Sequence, residues 1–313
     1  MTLITSRRRA GGGPPHLRPH VHERREATYA GVLLLASAVV VFGVVIYPIA
    51  RTVYSSVFEV TTPIPGVPHP FVGIDHYASI VRSGDFWSTI GRTAYFTLVS
   101  TAAELVLGIG LGLLLNERLR GRWLFRAIVI LPWALPTIVN GAMWRWILNP
   151  DYGALNAALL RLHLIDHYHS WLGGPFTALN MVVVADVWKN TSLAAFFVLA
   201  GLQTISPQLY EAGRVDGAGR WRCFLSLTLP LLRPTIAVVL VLRSIEAFKV
   251  FDIIYIMTRG GPANGTQTIA YYTYQQAFSN ERFGYGAALA VFIVAFILVL
   301  ATAYIRLLRQ DEN

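Results

Sequence analysis

The sequence predicts an all-α membrane protein with six transmembrane helices. Of its 313 residues, 54% are hydrophobic and only 14% are charged, whereas charged residues make up about a quarter of an ordinary soluble domain. Apolar runs recur six times along the chain, and each is close to the roughly 20 residues that cross the hydrocarbon layer. No charged residue occurs from 27 to 50, from 127 to 144 or from 283 to 305. The lipid bilayer is therefore the expected solvent.

The apolar runs divide the chain into a tail and one membrane domain. Residues 1–26 contain Arg7-Arg8-Arg9 among glycine, proline and histidine, a composition typical of a disordered tail. Residues 27–313 are predicted to form a single six-span domain. The spans are expected at 28–50, 93–115, 126–147, 180–202, 234–257 and 284–305.

The distribution of basic residues predicts the orientation. Six spans place both termini on one side, and 16 of the 26 Lys and Arg residues lie on that side. Under the positive-inside rule the termini and the loop 203–233 are then cytoplasmic. The same topology explains the net charge of +9, and because the arginines are dispersed among loops we expect no nucleic acid partner.

The loop 203–233 is polar although it lies between two long apolar runs. Ser206-Pro207 predicts a helix start, with the serine oxygen capping free N–H groups and the proline at the first helical position. We expect this short helix to reach about Val215. Gly217 can then adopt the left-handed conformation that turns the chain.

A second amphipathic segment follows in the same loop. Its apolar side chains are Trp221, Phe224 and Leu225, and Pro230 and Pro234 are expected to end it before the fifth span. The two segments together predict a compact cytoplasmic unit. An interfacial helix lying on anionic lipid is the alternative interpretation.

This loop resembles the "EAA" loop of permease subunits of binding-protein-dependent ABC importers. The positions that match the family pattern are Glu211, Ala212, Asp216, Gly217, Ala218, Leu229 and Pro230. Gly213 replaces the second alanine and Leu227 replaces an isoleucine. Since glycine weakens a short helix by roughly 0.5–1 kcal/mol relative to alanine, we expect somewhat looser docking of this loop on its partner.

The resemblance implies a type I ABC importer permease fold with a cytoplasmic coupling helix. In that reading the ATPase-coupling residues are Glu211, Ala212, Gly213, Asp216, Gly217 and Ala218. The implied partners are a second permease subunit, two ATPase subunits, an extracytoplasmic sugar-binding protein and membrane lipid. The implied location is a prokaryotic inner or plasma membrane, with this multi-pass chain forming half of the translocation pathway.

The chain itself is not expected to be an enzyme or to bind a cofactor. A phosphate-binding loop of the form GxxxxGK[ST] needs a lysine before Ser or Thr, and the two lysines, Lys189 and Lys249, precede Asn190 and Val250. ATP and Mg would therefore be used by the partner ATPase. We also expect no metal site, because the histidines near His163 lack a companion cysteine cluster or a His-Glu-x-x-His helix.

Ionisable groups inside the spans mark a candidate substrate pathway. In span 5, Arg243, Glu246, Lys249 and Asp252 follow one another at three-residue intervals, so each can neighbour the next on a helix. A rise of about 1.5 Å per residue puts them near the level of Asp186 to Asn190 in span 4. Nearby aromatic residues suit a sugar, whose ring C–H surfaces pack on aromatic faces. The predicted pathway residues are Asp186, Trp188, Asn190, Glu246, Phe248, Lys249, Asp252 and Tyr255, with Phe251 among the surrounding aromatics. Alternatively, the charges only pair between helices and fix their packing.

Five further segments resemble the carbohydrate branch of these permeases, the maltose and trehalose type: 71–77, 188–191, 247–262, 266–268 and 271–274. They leave open whether the substrate is a disaccharide, a longer oligosaccharide, or a polyol or glycerol phosphate ester. The main rival is a secondary carrier driven by an ion gradient, with Asp186, Glu246 and Asp252 relaying protons. It predicts internal repeats or broken helices in the two halves, which the sequence does not show convincingly. An intramembrane enzyme is the other rival, and no serine in a span has an evident histidine partner.

Overall fold

In the computed structural model, residues 29–31, 33–35, 37–61, 68–117 and 120–310 are described, and they form helices joined by loops. Across these ranges the sole β pairing is a single bridge between Phe58 and Phe71. The predicted all-helical class is thus confirmed. The predicted tail, 1–26, lies outside the described residues.

The helices are numbered in chain order, and α1 and α9 each include a π-helical stretch, Val41–Ile46 and Phe224–Thr228. Their bounds are α1 Tyr29–Ser55, α2 Asp75–Arg82, α3 Gly84–Asn116, α4 Arg122–Ala134, α5 Thr137–Ile147, α6 Ala154–Arg161, α7 Pro175–Thr204, α8 Pro207–Val215, α9 Arg220–Leu231, α10 Arg233–Phe248, α11 Asp252–Met257, α12 Ile269–Tyr274 and α13 Phe283–Gln310. The chain divides at Arg51 into two compact units, and the described residues of the first unit belong to α1.

Four of these helices, α1, α3, α7 and α13, are long and apolar enough to cross a membrane. Two further candidate spans are bent pairs: α4 with α5 at 94°, and α9 with α10 at 64°. Counting each bent pair as one span gives up to six, as the apolar runs predict. The third run is therefore broken within its length, where the sequence suggested a continuous helix, whereas the bend between α9 and α10 lies at Leu232, just before the fifth run.

Proline chemistry accounts for the break in the third span. Pro132 lies inside α4 and Pro136 directly precedes α5. Each lacks a backbone N–H and disfavours a helical conformation in the residue before it. The chain therefore leaves the helix at Leu135, whose backbone is extended with φ −71° and ψ 136°.

The two prolines that were expected to end the second loop segment, Pro230 and Pro234, have different positions in the structure. Pro230 lies within α9, two residues after the π-helical stretch ends at Thr228, where the regular i→i−4 hydrogen bonds are already interrupted. Pro234 lies in the first turn of α10, where its missing N–H would have had no helical partner. The fifth span breaks again at Lys249–Phe251, between α10 and α11.

The long helices α3 and α7 pack closely because α3 carries glycines at the contact. A Cβ added at Gly108 would lie 2.6 Å from the Cβ of Ala194, and one added at Gly112 would lie 2.7 Å from Cγ1 of Val198. Small residues of this kind let membrane helices approach one another closely. Helix α10 packs against both α3 and α7, so the three helices surround one polar region.

Candidate functional site

A charged cavity of about 330 Å³ lies where α7, α10 and the start of α11 meet. Its lining consists of Thr137, Asp186, Lys189, Asn190, Arg243, Glu246, Lys249, Val250, Phe251, Asp252 and Ile253. The charged groups that were expected at one level thus share one cavity.

Local backbone structure brings these side chains together. Asp186, Lys189 and Asn190 are three and four residues apart on α7, so they lie on one face of that helix. Helix α10 ends at Phe248, the chain turns at Lys249, and α11 begins at Asp252. Asp252 therefore reaches the cavity from a separate helix and not, as the three-residue spacing suggested, from the same helix as Glu246.

A buried ionic network forms the inner wall of the cavity. Arg243 donates two hydrogen bonds to Glu104, from Nε to Oε2 at 2.5 Å and from Nη2 to Oε1 at 2.9 Å, and one from Nη2 to Oδ2 of Asp186 at 3.3 Å. All three side chains are buried. Asn190 Nδ2 donates to the other oxygen of Asp186 at 2.9 Å. The network joins α3, α7 and α10. Asp186 and Arg243 belong both to the network and to the cavity wall, whereas Glu104 pairs with Arg243 without lining the cavity.

The outer part of the wall is accessible. Lys249 Nζ lies 3.0 Å from Oε1 of Glu246, and about half of each side chain is exposed. Asp252 is exposed as well. An ion pair in such a position contributes little to stability, so these groups are free to exchange partners with a bound molecule.

Among the aromatic residues predicted around these charges, Phe251 lines the cavity and the others lie elsewhere. Trp188 points from another face of α7 and packs edge to face on Trp144, with ring centroids 6.1 Å apart. Phe248 is buried and stacks on Phe296 at 4.2 Å. Tyr255, one turn into α11, stacks on Phe251 at 5.5 Å. Tyr255 is thus one ring away from the cavity, while Trp188 and Phe248 face other helices.

Two residues of this site were not predicted from the sequence. Glu104 pairs with Arg243, 139 residues later, and this pairing is visible only in the tertiary structure. Thr137 lines the cavity because α5 starts there after the break. The spacing of Pro132 and Pro136 was the signal that could have revealed that break.

The loop between α7 and α10 forms the second candidate site. Helix α8 begins at Pro207 as predicted, and Gly217 has the predicted left-handed conformation, with φ +77°. The expected cap is wrong in one respect: the Ser206 hydroxyl hydrogen-bonds Oε1 of Gln208 and caps no backbone N–H. The coupling candidates Glu211, Ala212, Asp216 and Gly217 are exposed, and Gly213 and Ala218 are half-buried.

The two positions that depart from the family pattern contact each other. A Cβ added at Gly213 would lie 3.2 Å from Cδ1 of Leu227 and 3.4 Å from Sγ of Cys223. The smaller residue at 213 therefore makes room for the leucine at 227. Tyr210 and Thr228 add a hydrogen bond of 3.0 Å between α8 and α9, so the two helices of the loop are packed on each other.

Together these features define a helical membrane protein with a charged cavity among its spans and a compact two-helix loop outside them. The sequence matches the family described as "binding-protein-dependent transport system inner membrane component" over residues 104–311, and the chain belongs to that family. It is accordingly a membrane-embedded permease subunit of a transport system, not an enzyme. Membership of this family also argues against the alternative function, a secondary carrier driven by an ion gradient. Two spans are broken, as that alternative predicted, but the family match outweighs this feature.

Two curated relatives cover nearly the whole chain. The trehalose/maltose transport system permease protein MalF of Thermococcus litoralis is 41% identical over 278 residues, which are 88% of this chain and 92% of the relative. The sulfoquinovosyl glycerol transport system permease protein SmoG of Agrobacterium fabrum is 39% identical over 282 residues, 90% of this chain and 91% of the relative.

A solved structure has the same fold. It is that of a bacterial alginate ABC transporter in complex with an alginate pentasaccharide-bound periplasmic protein. One of its chains superposes with a TM-score of 0.78 at 24% identity, covering 93% of this chain and 98% of that chain. The predicted ABC importer permease fold is thereby confirmed.

Proposed function

We propose that this chain is the permease subunit of an ATP-driven importer of small carbohydrates or glycosides, and that the charged cavity is its part of the solute pathway. The observation that supports this proposal most directly is the accessible part of the cavity wall, which Glu246, Lys249 and Asp252 form beside Phe251. Carboxylate and ammonium groups can exchange hydrogen bonds with sugar hydroxyls, while the aromatic face packs on ring C–H groups.

The relatives support a carbohydrate. Trehalose, maltose and sulfoquinovosyl glycerol all carry several hydroxyl groups on a ring, although the last also bears a sulfonate. The charged cavity contains groups of both signs, so it offers partners to a neutral sugar and to a charged one. Asp186 and Asn190 line it as well, with Asp186 held by Arg243.

The loop that contains α8 and α9 is proposed to dock on a separate ATPase, in which ATP and Mg are bound. Its exposed face carries Glu211, Ala212, Asp216 and Gly217 on a compact scaffold. A helix so placed can transmit closure of the ATPase to the spans. ATP shifts the transporter between inward-facing and outward-facing states only through its different affinity for the two.

The remaining parts of the assembly follow from the same proposal. A second permease subunit completes the pathway, and an extracytoplasmic binding protein delivers the solute to the segments opposite α8. Both termini and the loop then lie in the cytoplasm of a prokaryotic cell. The excess of basic residues on that side supports this orientation.

Uptake into proteoliposomes tests the proposal. The complex of this chain with its co-purifying partners is reconstituted with ATP inside and no ion gradient, and labelled trehalose, maltose and a sulfonated glycoside are offered with the binding protein. Uptake of one of them that needs both ATP and the binding protein is the expected result. Uptake that appears only when a proton or sodium gradient is imposed would overturn it.

A further inference from the structure

The break in the third span leaves backbone carbonyl groups that need partners. Helix α4 has 13 residues and so extends about 20 Å, less than the roughly 30 Å thickness of the hydrocarbon layer. A span that begins with α4 at one surface therefore breaks at Leu135 inside that layer. The last four carbonyls of any helix lack partners within the helix. In lipid each unsatisfied group costs several kcal/mol, so a break at this depth needs donors from elsewhere.

Lys189 supplies those donors from a different span. Its Nζ donates to the carbonyl of Leu135 at 2.6 Å and to that of Trp133 at 3.2 Å. An ammonium group also interacts favourably with the negative end of the α4 helix dipole. Lys189 thus satisfies two carbonyls at the break and places a positive charge where the peptide dipoles favour one.

The same side chain lines the charged cavity, together with Thr137, the first residue of α5 after the break. An ammonium group has three N–H donors, and two of them are used by Trp133 and Leu135. Lys189, a residue of α7, therefore binds the end of α4 and also lines the cavity wall. Asp186, one turn earlier on α7, lines the same cavity.

We propose that Lys189 is a positioning residue that holds the break of the third span and thereby keeps the start of α5, with Thr137, in the wall of the charged cavity. Its role is to fix the bend between α4 and α5 through the two carbonyls. The inference rests on the proposed function only in taking this cavity as the solute site. The bend itself can be measured without any solute.

The experiment measures the distance across the break in the complete transporter, embedded in nanodiscs. Spin labels are attached to cysteines placed at Leu124 on α4 and Trp146 on α5, both exposed, in a Cys223→Ser background. Three substitutions are compared with the parent: Lys189→Met, Lys189→Arg and Lys249→Met. The last is a matched control, because Lys249 lines the same cavity but pairs with Glu246.

We expect Lys189→Met to broaden and shift the label distance, and Lys189→Arg to restore it, since a guanidinium offers more than two donors. Lys249→Met should leave the distance unchanged. With solute present, Lys189→Met should lower the maximal uptake rate about tenfold, as expected for the loss of hydrogen bonds to a charged donor, with a smaller change in the half-saturating concentration.

An unchanged distance in Lys189→Met overturns the inference, even if uptake is lost; Lys189 would then only bind solute, and the proposed function would stand. A changed distance with normal uptake also overturns the inference, because the geometry of the break would then have no effect on the solute site. Failure of the parent to take up any carbohydrate would count against the proposed function alone, since the label distance still decides the role of Lys189.

A second variant covers the case in which Lys189→Met does not assemble with its partners. Pro136→Ala returns an N–H to the break and permits α4 and α5 to continue as one helix that satisfies its own carbonyls. Combined with Lys189→Met, it should restore assembly. If the double variant also fails to assemble, the orphan carbonyls are not the reason for the loss, and the inference is wrong.

Discussion

Replacing Arg243 by methionine isolates the energetic role of the buried network. The change removes three charge-assisted hydrogen bonds while keeping most of the apolar volume of the side chain. Glu104, fully buried, and Asp186, 7% exposed, then lose their shared cation. Breaking a buried pair by removing one partner typically costs about 3–5 kcal/mol, because an uncompensated charge remains in a low-dielectric interior.

The free-energy cost of leaving these carboxylates unpaired determines how far the stability of the Arg243→Met variant should fall. At 1.4 kcal/mol for each tenfold change, it corresponds to a shift of about two to three and a half powers of ten in the folding equilibrium. For a domain of this size the melting temperature should fall by about 6–20 °C. The assay is thermal unfolding of the purified permease in detergent, followed by the fluorescence of its tryptophans.

Two comparisons make the result interpretable. Lys249→Met removes a cation of the same cavity whose ion pair is half exposed, and we expect less than about 1 kcal/mol. Neutralising the whole network, with Glu104→Gln, Asp186→Asn and Arg243→Met together, should recover much of the loss, because no buried charge is then left without a partner.

Either of two outcomes would refute this reasoning. If Arg243→Met unfolds at the same temperature as the Lys249→Met control, the network does not hold α3, α7 and α10 together. If the neutral triple variant is no more stable than Arg243→Met alone, the cost comes from lost packing and not from uncompensated charge. In both cases the geometry of the hydrogen bonds would have been a poor guide to their energy.

Three further predictions follow from the loop and the helix contacts. Gly108→Leu should prevent the close approach of α3 and α7 and lower the melting temperature strongly, whereas Gly110→Ala, where an added Cβ meets nothing within 4 Å, should be neutral or slightly stabilising in the same thermal assay. Glu211→Ala should leave insertion and stability unchanged but reduce ATP-driven uptake, because the exposed side chain belongs to the proposed ATPase contact; uptake at the parent rate in proteoliposomes would contradict that contact. Gly213→Ala should be less favourable than its gain of up to about 1 kcal/mol in helix propensity suggests, and Leu227→Ile in the same chain should relieve the crowding; equal melting temperatures for the single and double variants would show that the two positions are independent.

The loop illustrates how far local reasoning extends. Proline at a helix start and glycine at a left-handed turn are constraints of single residues, so Pro207 and Gly217 behave as predicted. Gly213 seemed a weakness when judged by helix propensity alone. Its contact with Leu227 depends on how α8 folds back on α9, which no local rule contains.

For the charged cavity, too, local rules predicted one part of the arrangement and the tertiary structure decided the other. The level shared by α7 and α10 could be estimated from helix rise, and the charges of the two helices do line one cavity. The expected aromatic lining was less successful, since Trp188 and Phe248 face other helices. Helix period tells which residues share a face, but not which neighbour that face meets.

By itself the sequence determined the solvent of this protein, the number of its apolar runs, the polar loop and the family to which it belongs. Those properties follow from composition, from the length of apolar segments and from residue types at fixed spacing, all of which act locally along the chain. Only the tertiary structure decided that Arg243 pairs with Glu104, that Lys189 satisfies the carbonyls at the break of the third span, and that Asp252 enters the cavity from its own helix. These contacts join residues 54 to 139 positions apart, or depend on where a helix breaks. Their partners are chosen by the need to satisfy buried charges and the carbonyl groups of a broken membrane helix.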